Sequence, residues 1–203
     1  IQVRDTVAPM VNVSFNTTSP GIGDVINLSG NVTDETGLIY VNVTHNMTGA
    51  IVKANYTVSG TSIQIDNVTA ITVVGRNVIN FTMYATDTSN NVRQNSTLIT
   101  VADRIKPVVN TSVNIASPAI NDVLNFTGNM TDDVALLYAN ITHNMSGVVV
   151  KSNYTITGTS DQVSNLTAIT CSGCVINFTL FVTDTSNNVN QSSTLITVRD
   201  TVA

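Results

Sequence analysis

The chain has few charged and aromatic residues, no tryptophan and only two cysteines. Charged residues make up 10% of the 203 positions and the net charge is −5. Because no basic patch exists, nucleic acid is not an expected partner. No apolar run approaches the roughly 18 residues of a membrane helix, so no membrane segment is expected within this chain. The two histidines give little general-base capacity, and no catalytic Ser–His–Asp order or phosphate-binding glycine loop can be assembled. We therefore do not expect an enzyme.

The chain consists of two copies of one sequence. Residues 4–8 recur letter for letter as residues 199–203, and a degenerate copy stands midway at 102–106. The period is roughly 97 to 98 residues, about the length of one small domain. The shared phase of the two ends predicts a unit of a longer tandem array. The expected boundaries are 1–8 for the end of a preceding repeat or linker, 9–103 for the first domain, and 104–203 for the second domain with the start of the next linker.

Composition and periodicity both favour β-strands. Thr, Ser, Asn, Val and Ile dominate, whereas the common helix formers are sparse. Apolar and polar residues alternate in runs that are separated by Gly, Asp and Asn turns. The pattern predicts an all-β fold of two tandem immunoglobulin-like β-sandwich domains of about seven strands each. The strands of the first copy are expected near residues 10–16, 24–33, 38–45, 50–58, 61–66, 76–86 and 92–101, and those of the second copy 97 to 98 residues later.

Three stretches carry a family resemblance. Residues 5–9 (Asp-Thr-Val-Ala-Pro), 31–38 and 85–92 resemble the junctions and turns of tandem bacterial and archaeal immunoglobulin-like repeats. The resemblance covers nearly the whole chain and implies a surface protein of the fibre, adhesin-stalk or surface-layer type. It does not extend to antibody domains, because the chain lacks tryptophan and a cysteine pair placed to bridge two sheets.

Acceptors for N-linked sugars are unusually dense. The chain contains nineteen Asn-x-Ser/Thr sequences, where its composition alone would give about 6. In a strand, the Asn and the hydroxyl residue share one face and the middle residue points the other way. Because most middle residues are apolar, we expect the acceptors to face outward and to carry N-linked glycans. The acceptors are Asn12, Asn16, Asn27, Asn31, Asn42, Asn46, Asn55, Asn67, Asn80, Asn95, Asn110, Asn125, Asn129, Asn140, Asn144, Asn153, Asn165, Asn177 and Asn190.

The two cysteines, Cys171 and Cys174, form a Cys-x-x-Cys pair in the second copy alone. A zinc site would need two further ligands, and a thioredoxin-like motif would need a helix start, whereas these residues lie between expected strands. We expect a local disulfide that closes a tight turn; a free pair, or metal or redox chemistry, is the alternative.

Histidines and acidic residues are the remaining candidates for chemistry. His45 and His143 occupy the same position in each copy without a second His or Cys, so we expect surface turn residues and not metal ligands. Acidic residues recur in turns, at 34–35, 87, 132–133 and 184, and at repeat junctions. Calcium prefers such hard oxygen ligands, and the family resemblance implies stiffened junctions of this kind. Turn carboxylates also commonly bond their own backbone. The calcium candidates are Asp5, Asp87, Asp103 and Asp184.

Three non-catalytic roles follow from these patterns. The leading one is a heavily N-glycosylated structural repeat of an extracellular filament or cell-surface protein, with copies of itself as head-to-tail partners. The second is the stalk of an adhesin or a surface-layer component. The third is a ligand-binding module, which aromatic residues at 5% do not favour.

The first four residues match the end of a domain and not its beginning. Residues 1–4 (Ile-Gln-Val-Arg) resemble residues 196–199 (Ile-Thr-Val-Arg). We therefore expect this segment to act as the last strand of a preceding sandwich, either in a continuous chain or by strand donation from a separate subunit.

Overall fold

The computed structural model describes residues 4–200, and within that range the regular structure is entirely β-strand. The chain divides into two compact units between Asp103 and Arg104. Within residues 4–200 there is no helix of the length and apolar character that crossing a membrane requires. The first unit contains β1 (Met10–Phe15), β2 (Val25–Thr33), β3 (Leu38–His45), β4 (Val52–Thr57), β5 (Ser62–Ala70), β6 (Val78–Asp87) and β7 (Val92–Thr100). The second unit contains β8 (Val108–Val113), β9 (Val123–Thr131), β10 (Leu136–His143), β11 (Val150–Thr155), β12 (Ser160–Ala168), β13 (Val175–Asp184) and β14 (Val189–Thr197).

Each unit is a sandwich of a three-stranded and a four-stranded antiparallel sheet. The strand orders are β1-β2-β5 and β4-β3-β6-β7 in the first unit, and β8-β9-β12 and β11-β10-β13-β14 in the second. The constant-type immunoglobulin arrangement places its fourth strand beside the fifth. Here the fourth strand pairs with the third instead. The expectation of two seven-stranded immunoglobulin-like sandwiches is confirmed.

The fifth strand is longer than the sequence predicted. It was expected near residues 61–66, but β5 continues to Ala70. The reason lies in its partner, because β5 pairs with β2 along the full length of both, from Thr33 opposite Ser62 to Val25 opposite Ala70. The alternation of β2 therefore determines how far β5 extends.

The core of each unit is formed by the inward row of each strand. In the first unit, Ile26, Leu28 and Val32 of β2 face Phe81 and Met83 of β6, and all five are at most 1% exposed. Burial of such side chains contributes roughly 1.5 to 3 kcal/mol each. The same rows recur in the second unit from Leu124, Phe126 and Met130 of β9 to Phe178 and Leu180 of β13.

Aromatic residues are placed differently in the two cores. In the first unit, Phe15 of β1 lies opposite Leu28 of β2, and its ring centroid is 6.2 Å from that of Phe81. In the second unit, Val113 lies opposite Phe126 at the equivalent positions. Phe126 stacks on Phe178 with ring centroids 4.6 Å apart. The larger side chain of this cross-strand pair thus lies on β1 in the first unit and on β9 in the second.

A glycine interrupts the inward row of the second strand in each unit. Gly30 follows Ile26 and Leu28 on the buried face of β2, and a Cβ there would overlap the thioether of Met83. Gly128 of β9 stands in the same place, and a Cβ there would overlap the Leu180 side chain. The missing side chain makes room for a residue from the opposite sheet.

We expect the Gly128→Val variant to lower the free energy of unfolding by about 1 to 3 kcal/mol, because it overpacks the contact with Leu180. Combining it with Leu180→Ala restores the total volume, so the double variant should be more stable than the sum of the two single changes implies. Guanidinium unfolding of the four proteins measures this coupling. Additive losses would show that Gly128 and Leu180 do not share one space.

The expectation that the N-terminal segment is the last strand of a preceding sandwich concerns residues 1–4, of which 1–3 lie outside the described residues. It stays a prediction. The equivalent positions elsewhere are informative about the repeat. Ile99 and Val101 in the first unit, and Ile196 and Val198 in the second, are all buried in the core of their own unit.

Candidate glycosylation surface and candidate metal centre

All nineteen acceptor asparagines lie within the described residues, and none of them is buried. On β2 and β9, the acceptors face outward while the middle residues pack inward, as at Asn31, where Val32 is 0% exposed. The structure differs from the expectation at Asn67 and Asn165. There the middle residues Val68 and Leu166 are 66% and 69% exposed. The two asparagines continue the inward rows of β5 and β12 toward the strand end and are half-buried.

Edge strands carry acceptors in both units. The two sheets of the first unit have β1, β5, β4 and β7 as their edges, and the equivalent edges of the second unit are β8, β12, β11 and β14. Each of these strands contains one acceptor, in the order Asn12, Asn67, Asn55, Asn95, Asn110, Asn165, Asn153 and Asn190. An edge strand presents unpaired backbone groups to which another chain can add. A sugar at such a position would obstruct that addition.

The cysteines of the second unit are joined in the structure. Cys171 and Cys174 form a disulfide with Cα atoms 5.9 Å apart, in the connection between β12 and β13. Both side chains are half-buried against the core of that unit. The loop that the bond closes is very short, so its effect is confined to this turn.

The two histidines are buried, which corrects the expectation that they are surface turn residues. His45 ends β3 and is 3% exposed, and His143 ends β10 and is 5% exposed. His45 continues the inward alternation of Val41 and Val43, and His143 continues that of Ala139 and Ile141, a signal that was present in the sequence. In each unit Nδ1 accepts a weak hydrogen bond from the backbone N–H two residues on, at 3.4 Å from Met47 N and 3.5 Å from Met145 N. Burial lowers the pKa of both imidazoles.

A lowered histidine pKa makes stability depend on pH. The folded state binds protons less readily than the unfolded chain, so the free energy of unfolding should be constant above about pH 7.5 and fall as the pH drops through 6.5 toward the folded pKa. Unfolding midpoints at about pH 7.5 and about pH 5 measure this loss before most carboxylates titrate. The His45→Gln/His143→Gln variant keeps polar side chains that do not titrate and should lose most of the pH dependence. An unchanged slope in that variant would assign the effect to other groups.

The carboxylates of Asp87 and Asp184 accept hydrogen bonds from backbone N–H groups of their own turns, which is one of the two interpretations of the acidic turn residues given above. Asp87 is fully buried, and its Oδ1 accepts from Ser89 N and Asn91 N, both at 2.8 Å. Asp184 repeats this arrangement with Ser186 N and Asn188 N at 2.7 and 2.8 Å. These bonds explain the recurrence of the Asp-Thr-Ser-Asn-Asn sequence.

The last asparagine of the same turn binds residues 5–7, the segment that leads into β1, which is named the entry segment. Asn91 donates through Nδ2 to Asp87 Oδ2 at 2.7 Å and to the Val7 carbonyl at 3.1 Å. In the second unit, Asn188 donates to the Ile105 carbonyl at 3.1 Å. Residues 5–7 are thereby brought against the turn that carries Asp87.

Three carboxylates meet in the first unit as a result. One oxygen each from Asp5, Asp34 and Asp87 lies within 4.8 Å of the other two. Thr88 N donates to the Gly37 carbonyl at 2.8 Å, which joins the turn of Asp34 to that of Asp87. Two of the three are sequence candidates. Asp34 was noted only as part of an acidic turn, because its proximity to the others arises from contacts distant in sequence.

Asp34 has one oxygen that the fold does not satisfy. Its Oδ1 accepts from Thr36 N at 3.0 Å, Gly37 N at 2.9 Å and Thr36 Oγ1 at 2.9 Å. Asp34 is only 7% exposed, and its Oδ2 is buried without a hydrogen-bond partner. Burial acts to raise the pKa of Asp34, but the hydrogen bonds from Gly37 and Thr36 outweigh it and leave the pKa below its ordinary value. The hydrogen bonds therefore favour the charged form of this carboxyl group.

The three oxygens suit a hard cation. Calcium binds oxygens at about 2.3 to 2.6 Å, so two of its ligands lie at most about 5 Å apart. A separation within 4.8 Å meets this limit. The remaining candidate, Asp103, is half-buried at the end of the first unit.

Comparison with known proteins identifies the fold. No family model and no characterised protein sequence matches the chain. Among solved structures, the tetra-tandem repeat from the extending region of a large adhesion protein is 20% identical, with a TM-score of 0.52 over 96% of this chain and 50% of that one. A structure concerned with host cell surface retention of a 1.5-MDa bacterial ice-binding adhesin is 11% identical, with a TM-score of 0.40 over 97% of this chain and 67% of that one. A titin structure is 12% identical, with a TM-score of 0.45 over 96% of this chain and 100% of that one.

The chain thus spans half the length of the adhesion-protein structure that it matches. At these identities the likeness concerns the fold alone. Together with the strand order, it establishes the chain as a tandem pair of immunoglobulin-like β-sandwich repeats.

Proposed function

We propose that this chain is a non-catalytic structural repeat of an extracellular filament or cell-surface protein, and that N-linked glycans cover it. The observation that carries the proposal is the array of nineteen acceptors, all exposed or half-buried and repeated on matching strands of two sandwiches. Copies of the chain, joined head to tail, would extend the array that the internal repeat begins.

Sugars would supply what the polypeptide surface lacks. Charged residues are only 10% of the chain, and the mean hydropathy is +0.22. Electrostatic repulsion between molecules is therefore weak. Exposed apolar side chains such as Leu98 (66%) and Leu195 (70%) lie on the edge strands β7 and β14. Asn80 and Asn177 lie opposite these two leucines on the neighbouring strands. Hydrated glycans there would hinder other chains from pairing with β7 and β14 and would hinder proteases.

The stalk of a cell-surface adhesin, or a surface-layer component, is the alternative. The specific observation in its favour is the fold match at a TM-score of 0.52 to repeats in the extending region of a large adhesion protein. In that role the sandwiches would hold a binding domain away from the cell. Both roles use the repeats as spacers and place them outside the cell.

We expect the protein purified from the organism that makes it to be much heavier than its polypeptide mass of 21.5 kDa per unit of this length. Mass spectrometry before and after enzymatic or chemical removal of N-linked sugars measures the difference. The polypeptide expressed in bacteria without a glycosylation system is the control. A native mass equal to that of the bare polypeptide would contradict the proposal.

We further propose that Asp5, Asp34 and Asp87 hold a calcium ion that ties the entry segment to the two turns. Three carboxylates at such short separation repel one another unless a cation compensates them. The buried Oδ2 of Asp34 has no other partner in the described structure. The residues of this chain already supply the hydrogen bonds that position the three carboxylates. The ion would add the opposite charge.

Calcium at about 100 times its dissociation constant should raise the free energy of unfolding by about 2.7 kcal/mol. Thermal unfolding in calcium and in a chelator measures the difference. The Asp34→Asn variant should reduce the shift, because it keeps the bonds to its own turn but removes the charge. The Glu35→Gln variant changes the exposed neighbouring acid and should leave the shift intact. Identical unfolding of the unmodified chain with and without calcium would contradict the assignment.

A further inference from the structure

The acceptor asparagines differ in whether their side-chain amide nitrogen, Nδ2, donates a hydrogen bond within the fold. An N-linked sugar is attached at Nδ2, so that atom must be accessible and must be able to give up one hydrogen. In this structure Nδ2 serves as a hydrogen-bond donor within the fold at some acceptors and has no protein partner at others. The donor role recurs at equivalent positions in the two units for three pairs of acceptors, whereas Asn27 and Asn165 donate and their counterparts Asn125 and Asn67 do not.

Asn46 and Asn144 use both ends of the amide. Asn46 Oδ1 accepts from Asn80 N at 2.8 Å, and its Nδ2 donates to the Val78 carbonyl at 3.1 Å. In the second unit, Asn144 contacts Asn177 N and the Val175 carbonyl at 2.8 and 3.2 Å. His45 is the last residue of β3 to pair with β6. The side-chain amide of Asn46 therefore continues the ladder by one step beyond the end of the strand.

This two-point contact is incompatible with a sugar on the same nitrogen. The two partners of Asn46 flank Ile79 on one strand, so the Nδ2 hydrogen that points to Val78 is the one on the same side as Oδ1. A substituted amide adopts the trans geometry, which places the substituent on the oxygen side. The sugar would therefore replace the hydrogen that the contact uses.

Asn95 and Asn190 join the two sheets of their unit. Asn95 on β7 donates through Nδ2 to the Val11 carbonyl on β1 at 2.8 Å, and its Oδ1 accepts from Ser96 N at 2.8 Å. Asn190 on β14 donates to the Pro107 carbonyl, which precedes β8, at 2.8 Å. Each bond thus ties the last strand of the unit, β7 or β14, to the first strand or to the residue just before it, and a sugar on the same nitrogen would interfere with that link.

Asn42 and Asn140 each support a neighbouring acceptor. Asn42 lies opposite Asn55 in the β3–β4 register and donates through Nδ2 to Asn55 Oδ1 at 2.6 Å. Asn140 Nδ2 donates to Asn153 Oδ1 at 2.8 Å and to the Ala139 carbonyl at 3.1 Å, which uses both of its hydrogens. The partner in each pair, on the edge strand, is exposed and its Nδ2 makes no hydrogen bond.

We infer that the fold selects which acceptors carry sugar. This inference rests on the proposed glycosylation and makes it specific. Six acceptors are structural and stay unmodified: Asn42, Asn46, Asn95, Asn140, Asn144 and Asn190. Within the described part of the chain, nine acceptors are exposed and have an Nδ2 without a protein partner, and sugar is concentrated on them: Asn12, Asn16, Asn31, Asn55, Asn80, Asn110, Asn129, Asn153 and Asn177.

Glycopeptide mass spectrometry of the native protein, resolved to single asparagines, tests the division. Sugar should be found at Asn55 and Asn153 and be missing from Asn42 and Asn140 on the adjacent strand. Sugar on Asn46 or Asn144 in folded protein would overturn the inference while leaving the proposed glycoprotein intact. A chain that carries no sugar at any of the nineteen positions would overturn both.

Matched variants separate a structural acceptor from a modified one, when the full chain is expressed in the native host. Thr48→Ala destroys the acceptor sequence of Asn46 without touching its amide, and it should change neither the mass of attached glycan nor the unfolding midpoint. Asn46→Ala removes both contacts and should lower the midpoint by about 4 to 8 °C, again without a change in mass.

The opposite pattern is expected at the modified position. Thr57→Ala destroys the acceptor sequence of Asn55 and should remove the mass of one glycan. A mass loss in Thr48→Ala, or an Asn46→Ala variant as stable as the unmodified chain, would overturn the structural assignment of Asn46.

Discussion

Each unit depends on the burial of one row of side chains per strand between two sheets. A strand points successive side chains to opposite faces, so once Ile26, Leu28 and Val32 are committed to the interior, Asn27 and Asn31 must lie outside. A shift of one residue in register would reverse both faces at once. On β2 and β9 the outward position of the acceptors is therefore a consequence of the core, because the same alternation determines both.

Periodicity was sufficient to predict that the strands exist and most of their inward residues, since a two-residue repeat is visible in any local stretch. It also contained the position of His45, which continues the buried row of Val41 and Val43; the polar nature of the residue favoured the wrong interpretation. It did not predict the end of β5 or the inward position of Asn67, which depend on pairing with β2. The meeting of Asp5, Asp34 and Asp87 was not predictable in the same way. It depends on the Thr88–Gly37 hydrogen bond and on Asn91, which link segments far apart along the chain. The amide contacts of Asn46 and Asn95 were not predictable for the same reason, because the first depends on the end of the β3–β6 pairing and the second on the contact between the two sheets.

Asparagine serves three physical purposes in this fold, and they share one property. Its side chain reproduces the donor and acceptor of a peptide group, so it can extend a ladder at Asn46, connect two sheets at Asn95, and hold a turn at Asn91. At exposed positions the same amide is available for modification. A chain with few charges can thus use one residue type for internal cohesion and for its outer surface, and the local hydrogen-bond partner decides between the two uses.

The cross-strand pair Phe15–Leu28 of the first unit is replaced by Val113–Phe126 in the second. This difference matters when domains of similar sequence fold next to one another. Tandem domains of similar sequence can exchange strands while they fold, and such misassembly is a characteristic failure of repeat proteins. A hybrid sandwich that took β1 from one unit and β2 from the other would bring together either Phe15 and Phe126 or Val113 and Leu28. The first combination is overfilled and the second leaves a void, and both cost stability. The two repeats can therefore present nearly the same exterior while their interiors discriminate correct partners from wrong ones.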